Sequence, residues 1–213
     1  MTTLRRLQWL LPLFLLASIS TRADSAQVYV SGSYAFADHG YGIGPYGGTL
    51  NGVNTSFYCV DFNHDIVGQT GWSATVTYLP TSPSVGLPGT LLGSSTLYLD
   101  MAWMITKMMG ATDQTLQAEY QWAIWSLSVG NNPAAPSDPY HMNGMLIGNA
   151  QTAVSGGWSA SGWEILTPIR ETGYPGQSGY YGQEFMVLAT PEPPPILLLF
   201  VGLAGLALFA LKK

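Results

Sequence analysis

The chain has little charge, and basic residues are almost missing between its two ends. Charged side chains account for 9% of the 213 residues. Residues 24–189 contain eleven acidic side chains but only two basic ones, Lys107 and Arg170, so the net charge of this segment is −9. Proteins that bind DNA or RNA neutralise phosphates with clustered Lys and Arg. The lack of a basic cluster excludes nucleic acid as a partner.

Cysteine is equally scarce, because Cys59 is the only one in the sequence. An internal disulfide is therefore excluded. A single cysteine in an exported protein is inert, joined to another molecule, or chemically reactive. Cys59 follows Tyr58 and precedes Val60 and Asp61, in a short run that predicts a β-strand.

Motifs of the common enzyme and metal sites are missing as well. His39, His64 and His141 are far apart and lack the spacing of known zinc motifs. Residues 61–65 open like a calcium-binding loop, but Ile66 occupies the position where that loop requires glycine. No GxSxG or Walker motif occurs. We therefore expect no metal, no cofactor and no enzymatic turnover.

The first 23 residues have the pattern of a signal peptide. Arg5 and Arg6 precede the apolar run 7–19, and small residues follow that run. This order is typical of secretory signal peptides, and it predicts cleavage after Ser20 or Ala23. An uncleaved N-terminal helix is the alternative, although the apolar run is short for one. The chain is therefore predicted to be exported, with signal peptidase as a processing partner.

The last 24 residues, 190–213, combine a proline-rich step, an apolar run and a basic end. In order they are Pro191, Glu192, Pro193, two further prolines, the apolar run 196–211, and the pair Lys212 and Lys213. Proline prevents a preceding helix or strand from continuing. As a helix, the apolar run is about 24 Å long, which is slightly short for a hydrocarbon core of about 30 Å. The sequence thus predicts a transmembrane helix with its basic end in the cytoplasm.

This tail resembles the PEP-CTERM sorting signal of Gram-negative, exopolysaccharide-producing bacteria. The resemblance implies recognition by an exosortase, a membrane transpeptidase-like enzyme that removes the helix and delivers the rest to the surface. The precursor would be anchored in the inner membrane, and the mature protein would reach the cell surface or the extracellular space. The family usually ends in several arginines, whereas this chain ends in two lysines. A plain C-terminal anchor is the alternative, but it does not require the Pro-Glu-Pro step.

The segment 24–189 is predicted to be one extracellular α+β domain, with an antiparallel β-sandwich or barrel-like portion and a helical insertion. Runs of β-branched and aromatic residues between glycines predict strands. The predicted strands are 28–30, 49–50, 56–60, 74–78, 163–166 and 184–188. Strands from both ends of the segment would therefore form the β portion. The stretch 34–48, rich in Gly and Tyr, is expected to be a loop or an irregular edge.

Helical periodicity occurs between these two groups of strands. Apolar residues at helical spacing end at Gly110, and Thr112 or Asp113 can cap the next helix. Asp138 followed by Pro139 predicts the start of a third helix. The predicted helices extend over about 97–110, 113–129 and 138–155.

Gln121 stands out within the second predicted helix. It lies between Tyr120 and Trp122, and Trp125 follows one helical turn later. A buried carboxamide needs hydrogen-bond partners for its oxygen and its nitrogen. A glutamine among aromatic residues is therefore a costly choice for packing alone.

The runs 58–61 and 120–125 together resemble the Cys–Gln thioester domain of bacterial surface adhesins. The resemblance implies a bond from the Cys59 sulfur to the Gln121 side-chain carbonyl, formed with loss of ammonia. The surroundings that it implies are Tyr58, Asp61, Tyr120, Trp122 and Trp125. Such a thioester is an acyl donor to an amine or hydroxyl of a partner. The reaction happens once in each molecule, so it is not enzymatic turnover.

Two hypotheses about function follow from these patterns. The first is an exported, exosortase-sorted adhesin that attaches covalently to a surface protein or polysaccharide. The alternative is a non-reactive structural or glycan-associated protein of the exopolysaccharide matrix, whose exposed Tyr and Trp contact sugars. In that case Cys59 is a small buried hydrophobe and Gln121 belongs to a core helix. A hydrolase is the weakest hypothesis, because no catalytic motif is present.

The sorting hypothesis predicts the C-terminus of the mature protein. In a host that has an exosortase, the mature protein should lack residues 196–213, because that enzyme removes the helix. Mass spectrometry of the C-terminal peptide measures this directly. The same host without its exosortase gene should retain the tail. An intact C-terminus in the exosortase-containing host would contradict sorting and indicate a permanent anchor.

Overall fold

A computed structural model describes residues 25–64, 70–83, 86–129, 138–169 and 182–189. The predicted signal peptide 1–23 and the tail 190–213 lie outside these ranges. The tail includes Pro191, Glu192, Pro193, Lys212 and Lys213.

The described ranges contain six strands and three helices. The strands are β1 Ser25–Asp38, β2 Tyr41–Leu50, β3 Val53–Cys59, β4 Thr70–Tyr78, β5 Trp163–Pro168 and β6 Phe185–Leu188. The helices are α1 Ser95–Gly110, α2 Gln114–Val129 and α3 Asn143–Ser155.

All six strands pair antiparallel and close into a barrel in the order β1-β2-β3-β6-β5-β4. The last two strands enter between β3 and β4, so the barrel closes only when both ends of the domain meet. The three helices lie between β4 and β5 in the sequence. The predicted α+β class, with a barrel-like β portion and a helical insertion, is therefore confirmed.

Two tight hairpins build the first half of the barrel. His39 and Gly40 have φ angles of 48° and 85°, and they connect the paired residues Asp38 and Tyr41. Asn51 and Gly52 repeat this arrangement between β2 and β3, with φ angles of 51° and 80°. Positive φ at both central residues defines the turn that matches the natural twist of a hairpin. An Asn-Gly pair is the strongest local signal for it.

The expectation that 34–48 is a loop or irregular edge is wrong, because this stretch forms the paired parts of β1 and β2. Its glycines fit a strand where two backbones come close. A side chain at Gly48 would place its Cβ 2.0 Å from the carbonyl oxygen of Tyr29. Glycine is therefore required by the pairing at this position, and it does not mark a loop here.

The three helices occupy nearly the predicted ranges, with one shifted start. The Ser94 hydroxyl accepts a hydrogen bond from the amide of Leu97 and caps α1. The third helix begins at Asn143 and not at Pro139 as predicted. Asp138 nevertheless stabilises the first turn of this helix, because its carboxylate accepts hydrogen bonds from the backbone amides of Met142 and Asn143 at 3.0 Å each. No helix within the described ranges is both long and apolar enough to cross a bilayer.

Two groups of buried side chains fill the domain. The barrel cluster lies inside the strands and includes Val28, Val30, Ile43, Phe57, Cys59, Trp72, Leu166, Phe185 and Val187, together with Ala118, Trp122 and Trp125 of α2. The helix cluster lies between the barrel and the helices and includes Tyr58, Val60, Leu99, Met104, Ile105, Ile124, Trp163, Ile165 and Met186. Strands β3, β5 and β6 contribute alternate residues to both clusters, so the helices cover these strands.

One buried acid in α1 makes the stability of this fold dependent on pH. Asp100 is 1% exposed, and its Oδ1 accepts no hydrogen bond from the described residues. Burial disfavours the charged form and raises the pKa of Asp100 to about 6. An acid whose pKa rises on folding stabilises the fold most at low pH. That contribution is lost as the pH rises through the pKa of the folded state.

The variant Asp100→Asn removes this titration and tests its effect. As the pH rises from about 3 to about 7, the free energy of unfolding of the wild type should fall by about 3 kcal/mol relative to the variant. Urea unfolding at several pH values measures the difference. Asp100→Leu also cannot titrate, so its free energy of unfolding should vary with pH as that of Asp100→Asn does. The two variants should differ by an amount that does not depend on pH. A difference that does not vary with pH would contradict the analysis.

Candidate functional site

Cys59 is the last residue of β3, and its side chain points into the barrel cluster. The residue is fully buried. Its sulfur accepts a hydrogen bond from the indole Nε1 of Trp125 at 3.1 Å and donates one to the carbonyl oxygen of Asp61 at 3.2 Å. The sulfur is therefore held between a donor on α2 and an acceptor two residues later in its own chain.

Gln121 lies on α2 one turn before Trp125, so both side chains project from the same face of the helix. Its Nε2 donates a hydrogen bond to the carbonyl oxygen of Cys59 at 2.9 Å. The residue is fully buried, and its Oε1 accepts no hydrogen bond from the described residues. The structure therefore brings the two predicted residues into contact, 62 positions apart in sequence.

The backbone of β2 lies against the amide oxygen of Gln121. A Cβ placed on Gly44 would lie 3.4 Å from Gln121 Oε1 and 3.7 Å from the carbonyl oxygen of Phe57. Both distances are ordinary van der Waals contacts, so the carboxamide oxygen packs directly against the backbone of β2 at Gly44. A strong acceptor that is buried without a donor costs about 1–3 kcal/mol. Gln121 Oε1 is therefore a buried acceptor whose hydrogen-bonding capacity is unused among the described residues, and we call it the orphaned oxygen.

Four aromatic rings, which we call the aromatic lid, pack together beside the sulfur: Tyr41, Phe62, Trp122 and Trp125. The Trp122 and Trp125 ring centroids are 5.2 Å apart, and Tyr41 lies 5.3 Å from Phe62 and 5.4 Å from Trp122. Trp125 contacts the sulfur, whereas Tyr41 is exposed on the outside. The lid therefore separates Cys59 from solvent by aromatic rings that pack edge-to-face or tilted against one another.

Asp38 fastens the β1–β2 hairpin to the lid. Its Oδ2 accepts hydrogen bonds from Trp122 Nε1 at 2.8 Å and from His39 Nδ1 at 2.9 Å, and its Oδ1 accepts one from the Tyr140 hydroxyl at 2.8 Å. Burial alone would raise the pKa of Asp38, but these hydrogen bonds outweigh it and hold the pKa below its usual value. The carboxylate thus joins three parts of the chain above the site.

A second polar group supports the chain just after Cys59. Asp61 is buried, and its carboxylate accepts hydrogen bonds from His64 Nδ1 at 2.6 Å and from the amide of Asn63 at 3.0 Å. Its carbonyl oxygen accepts one from Gln183 Nε2 at 2.7 Å, in addition to the bond from the Cys59 thiol. These bonds fix the path of the backbone where β3 ends.

Glu184 continues this polar group into the helix cluster. It is fully buried, and its carboxylate accepts hydrogen bonds from Thr167 Oγ1 at 2.5 Å, from the amide of Leu91 at 3.0 Å and from the Tyr98 hydroxyl. Burial raises the pKa of Glu184 although the hydrogen bonds from Thr167, Tyr98 and Leu91 lower it. Hydroxyl and amide groups hold this carboxylate, so it serves as an anchor between β6 and α1.

Of the predicted surroundings, Asp61, Trp122 and Trp125 lie beside the site. Tyr58 points to the opposite face of β3, where its ring packs 6.0 Å from that of Trp163 in the helix cluster. Tyr120 also points away from the sulfur, with its ring 6.5 Å from that of Trp103. Both tyrosines neighbour a site residue in sequence, but a one-residue step along a strand or helix changes the direction of the side chain.

The sequence patterns gave no sign of Asp38, Tyr41 or Tyr140 as parts of the site. Asp38 lies 84 positions before its hydrogen-bond partner Trp122, and Tyr140 lies 102 positions after Asp38. The available local signal was the His39-Gly40 turn, which places Asp38 and Tyr41 at the end of a hairpin. The contact between this hairpin and α2 forms only in the tertiary structure, when the barrel closes.

Within the described ranges, no three His, Cys, Asp or Glu side chains converge in a way that could hold a metal ion. Comparison with protein-family models, with curated proteins and with solved structures found no match for this chain.

The role of Asp38 is testable by two substitutions. Asp38→Ala should lower the free energy of unfolding by about 1–2 kcal/mol, because Trp122 Nε1 and the Tyr140 hydroxyl lose their acceptor. Asp38→Asn keeps one acceptor oxygen and should cost less. The loss should shrink as the pH falls below about 4, since a lowered pKa stabilises the fold only while the carboxylate is charged. Urea unfolding followed by tryptophan fluorescence measures these effects. Equal stability of wild type and Asp38→Ala would contradict them.

Proposed function

We propose that this chain is an exported, exosortase-sorted surface protein that attaches covalently to a partner through a thioester between Cys59 and Gln121. The observation that supports this most is the contact of the two residues, with Gln121 Nε2 2.9 Å from the Cys59 carbonyl oxygen and both side chains fully buried. The motif resemblance concerns short runs of sequence. The contact is independent of it, because it depends on the tertiary structure.

Formation of the bond requires a nucleophile and a carbonyl held close together. The Cys59 sulfur attacks the Gln121 side-chain carbonyl carbon, the carbon–nitrogen bond breaks, and the nitrogen leaves as ammonia with the thiol proton. A primary amide is a poor electrophile, so the reaction depends on the high effective concentration of a fixed neighbour. The Trp125 indole favours it as well, because an N–H donor stabilises negative charge on sulfur.

The thioester bond also lowers the free-energy cost of burying the orphaned oxygen. In the amide state, Gln121 Oε1 is a strong acceptor buried without a donor. A thioester carbonyl is a weaker acceptor than an amide carbonyl, because sulfur donates less electron density to it. Burial of the oxygen beside Gly44 therefore costs less after the bond has formed.

In the transfer step, the partner replaces the sulfur on the carbonyl carbon. An amine or hydroxyl of the partner attacks the carbonyl carbon and forms an amide or an ester with the former Gln121 side chain. The sulfur leaves and takes up the proton lost by the nucleophile, which regenerates the thiol of Cys59. Access requires movement of the aromatic lid, since Cys59 and Gln121 are fully buried. The lid therefore protects the bond from water until a partner displaces it.

The proposed sorting and export rest on the two ends of the chain. The signal peptide 1–23 places the domain outside the cytoplasm, and the tail 190–213 delivers it to the surface after exosortase cleavage. A covalent bond to a surface protein or polysaccharide would then hold the domain in place after its membrane helix has been removed. Sorting and covalent attachment are thus successive steps of one anchoring process.

The intact mass of the secreted segment 24–190 tests the thioester directly. The mass should be lower than the sequence mass by one ammonia, and no thiol should react after denaturation in a non-nucleophilic buffer. Methylamine should open the bond, which raises the mass to one methylene above the sequence mass and exposes one thiol at Cys59.

Matched variants separate the bond from the fold. Cys59→Ala and Gln121→Ala should each have the full mass of their own sequence, because neither partner can close the bond alone. Trp125→Phe keeps an aromatic ring but removes the N–H donor, so methylamine should open its thioester more slowly. A reactive thiol and the full sequence mass in fresh wild-type protein would overturn the proposal. The non-reactive structural or glycan-associated protein would then be the better account.

A further inference from the structure

The outer face of β1, β2 and β3 carries a groove of about 500 Å³. Along β1 the buried residues Val28 and Val30 alternate with Tyr29 and Ser31, which point outwards. The helices cover the barrel at the other end of β3 and at β5 and β6. The groove is therefore open to solvent and separate from the Cys59–Gln121 site.

Two rows of side chains cross the three strands and line this groove: the first is Tyr29, Thr49 and Asn54, and the second is Ser31, Gly47 and Ser56. Tyr29 pairs with Thr49, and Thr49 pairs with Asn54. Gly47 pairs with Ser56, and the Ser31 hydroxyl donates to the Gly47 carbonyl at 2.8 Å. The groove thus presents hydroxyl and amide groups at the spacing of neighbouring strands.

Gly47 lets two serine hydroxyl groups lie close to its backbone. A Cβ at this position would lie 2.9 Å from Ser33 Oγ and 3.6 Å from Ser31 Oγ, so a side chain here would displace these hydroxyl groups. Tyr29 borders the groove with a ring that is 39% exposed. A flat ring beside hydroxyl groups offers one apolar face and several hydrogen-bond donors and acceptors.

The lining decides which class of ligand fits. None of its side chains is charged, so a phosphate, sulfate or carboxylate would lose water without gaining a cation. An apolar helix face would remove water from the hydroxyl and amide groups of Thr49, Asn54 and Ser56 without replacing their hydrogen bonds. The closed barrel leaves no strand edge here for an added strand. A neutral sugar matches both features, because its C–H face can stack on Tyr29 while its hydroxyls bond to Ser, Thr and Asn.

We propose that this groove binds a neutral oligosaccharide reversibly. The binding goes beyond the proposed covalent attachment and does not depend on it, since no residue of the groove belongs to the Cys59–Gln121 site. It would bring the domain onto a polysaccharide surface that is rich in hydroxyl groups. The same groups are one of the two nucleophile classes that a thioester accepts.

Titration of the full chain with defined oligosaccharides tests this proposal. The chain is kept in a detergent without a sugar headgroup, and saturation-transfer NMR and calorimetry follow linear oligomers of glucose, mannose and galactose. An oligogalacturonate of equal length is the acidic comparison. We expect saturable binding of at least one neutral oligomer and none of the acidic one. No saturable binding of any neutral oligomer at millimolar concentration, or a preference for the acidic one, would overturn the proposal.

Variants locate the binding in the groove. Tyr29→Ser removes the ring and Gly47→Val displaces the Ser31 and Ser33 hydroxyl groups, and each should weaken binding at least tenfold. Ser56→Ala is a milder change that should weaken binding in a protein with unchanged circular dichroism. Tyr78→Ser is the matched control, because Tyr78 has similar exposure, 37%, and lies on β4 outside the groove. Affinity that is unchanged in Tyr29→Ser and Ser56→Ala, or lost in Tyr78→Ser, would contradict this location.

Cys59→Ala separates the two proposals. It abolishes any thioester but should leave oligosaccharide binding unchanged, because the groove does not include Cys59. Loss of oligosaccharide binding in this variant would overturn the proposal that the groove binds independently of the thioester, whatever the mass measurement shows. Binding retained in a protein that has no thioester would support the groove and reject only the covalent step.

Discussion

The arrangement of the candidate site depends on how α2 is attached to the end of β3. Gln121 donates to the Cys59 carbonyl oxygen at 2.9 Å, and Trp125, one turn later, donates to the sulfur at 3.1 Å. Two bonds from one face of the helix fix both its position along the strand and its rotation. A shift by one residue would rotate the helix by about 100° and turn both side chains away from Cys59.

The scarcity of positive charge means that the buried acids of the described ranges have few cations to pair with. Lys107 is the only Lys or Arg in the described ranges, and its ammonium lies 5.2 Å from the centre of the Trp103 ring. Glu184 is therefore held by hydroxyl and amide donors, and burial raises the pKa of Asp100 to about 6 in place of a pairing with a cation. The side chains that line the outer groove are uncharged.

The general architecture was predictable, because its signals are local. Helical periodicity and capping residues placed the three helices to within about five residues, and runs of β-branched and aromatic residues between glycines placed parts of all six strands. The errors occurred where one residue type has two uses. Glycines in 34–48 suggested a loop, but at Gly48 they permit close strand pairing. Asp138 and Pro139 suggested the start of α3, but the carboxylate of Asp138 reaches amides four and five residues ahead.

The sequence by itself determined the net charge, the single cysteine, the patterns that predict two terminal signals, and the short runs around Cys59 and Gln121. Only the tertiary structure decided that these two residues touch, that Tyr58 and Tyr120 face elsewhere, and that Asp38 holds Trp122. The physical reason lies in the range of each effect. Periodicity records which neighbours share a face, over a few residues. Which other element packs against that face depends on the closure of the barrel by β5 and β6. This closure pairs residues more than 100 positions apart, such as Tyr58 and Met186.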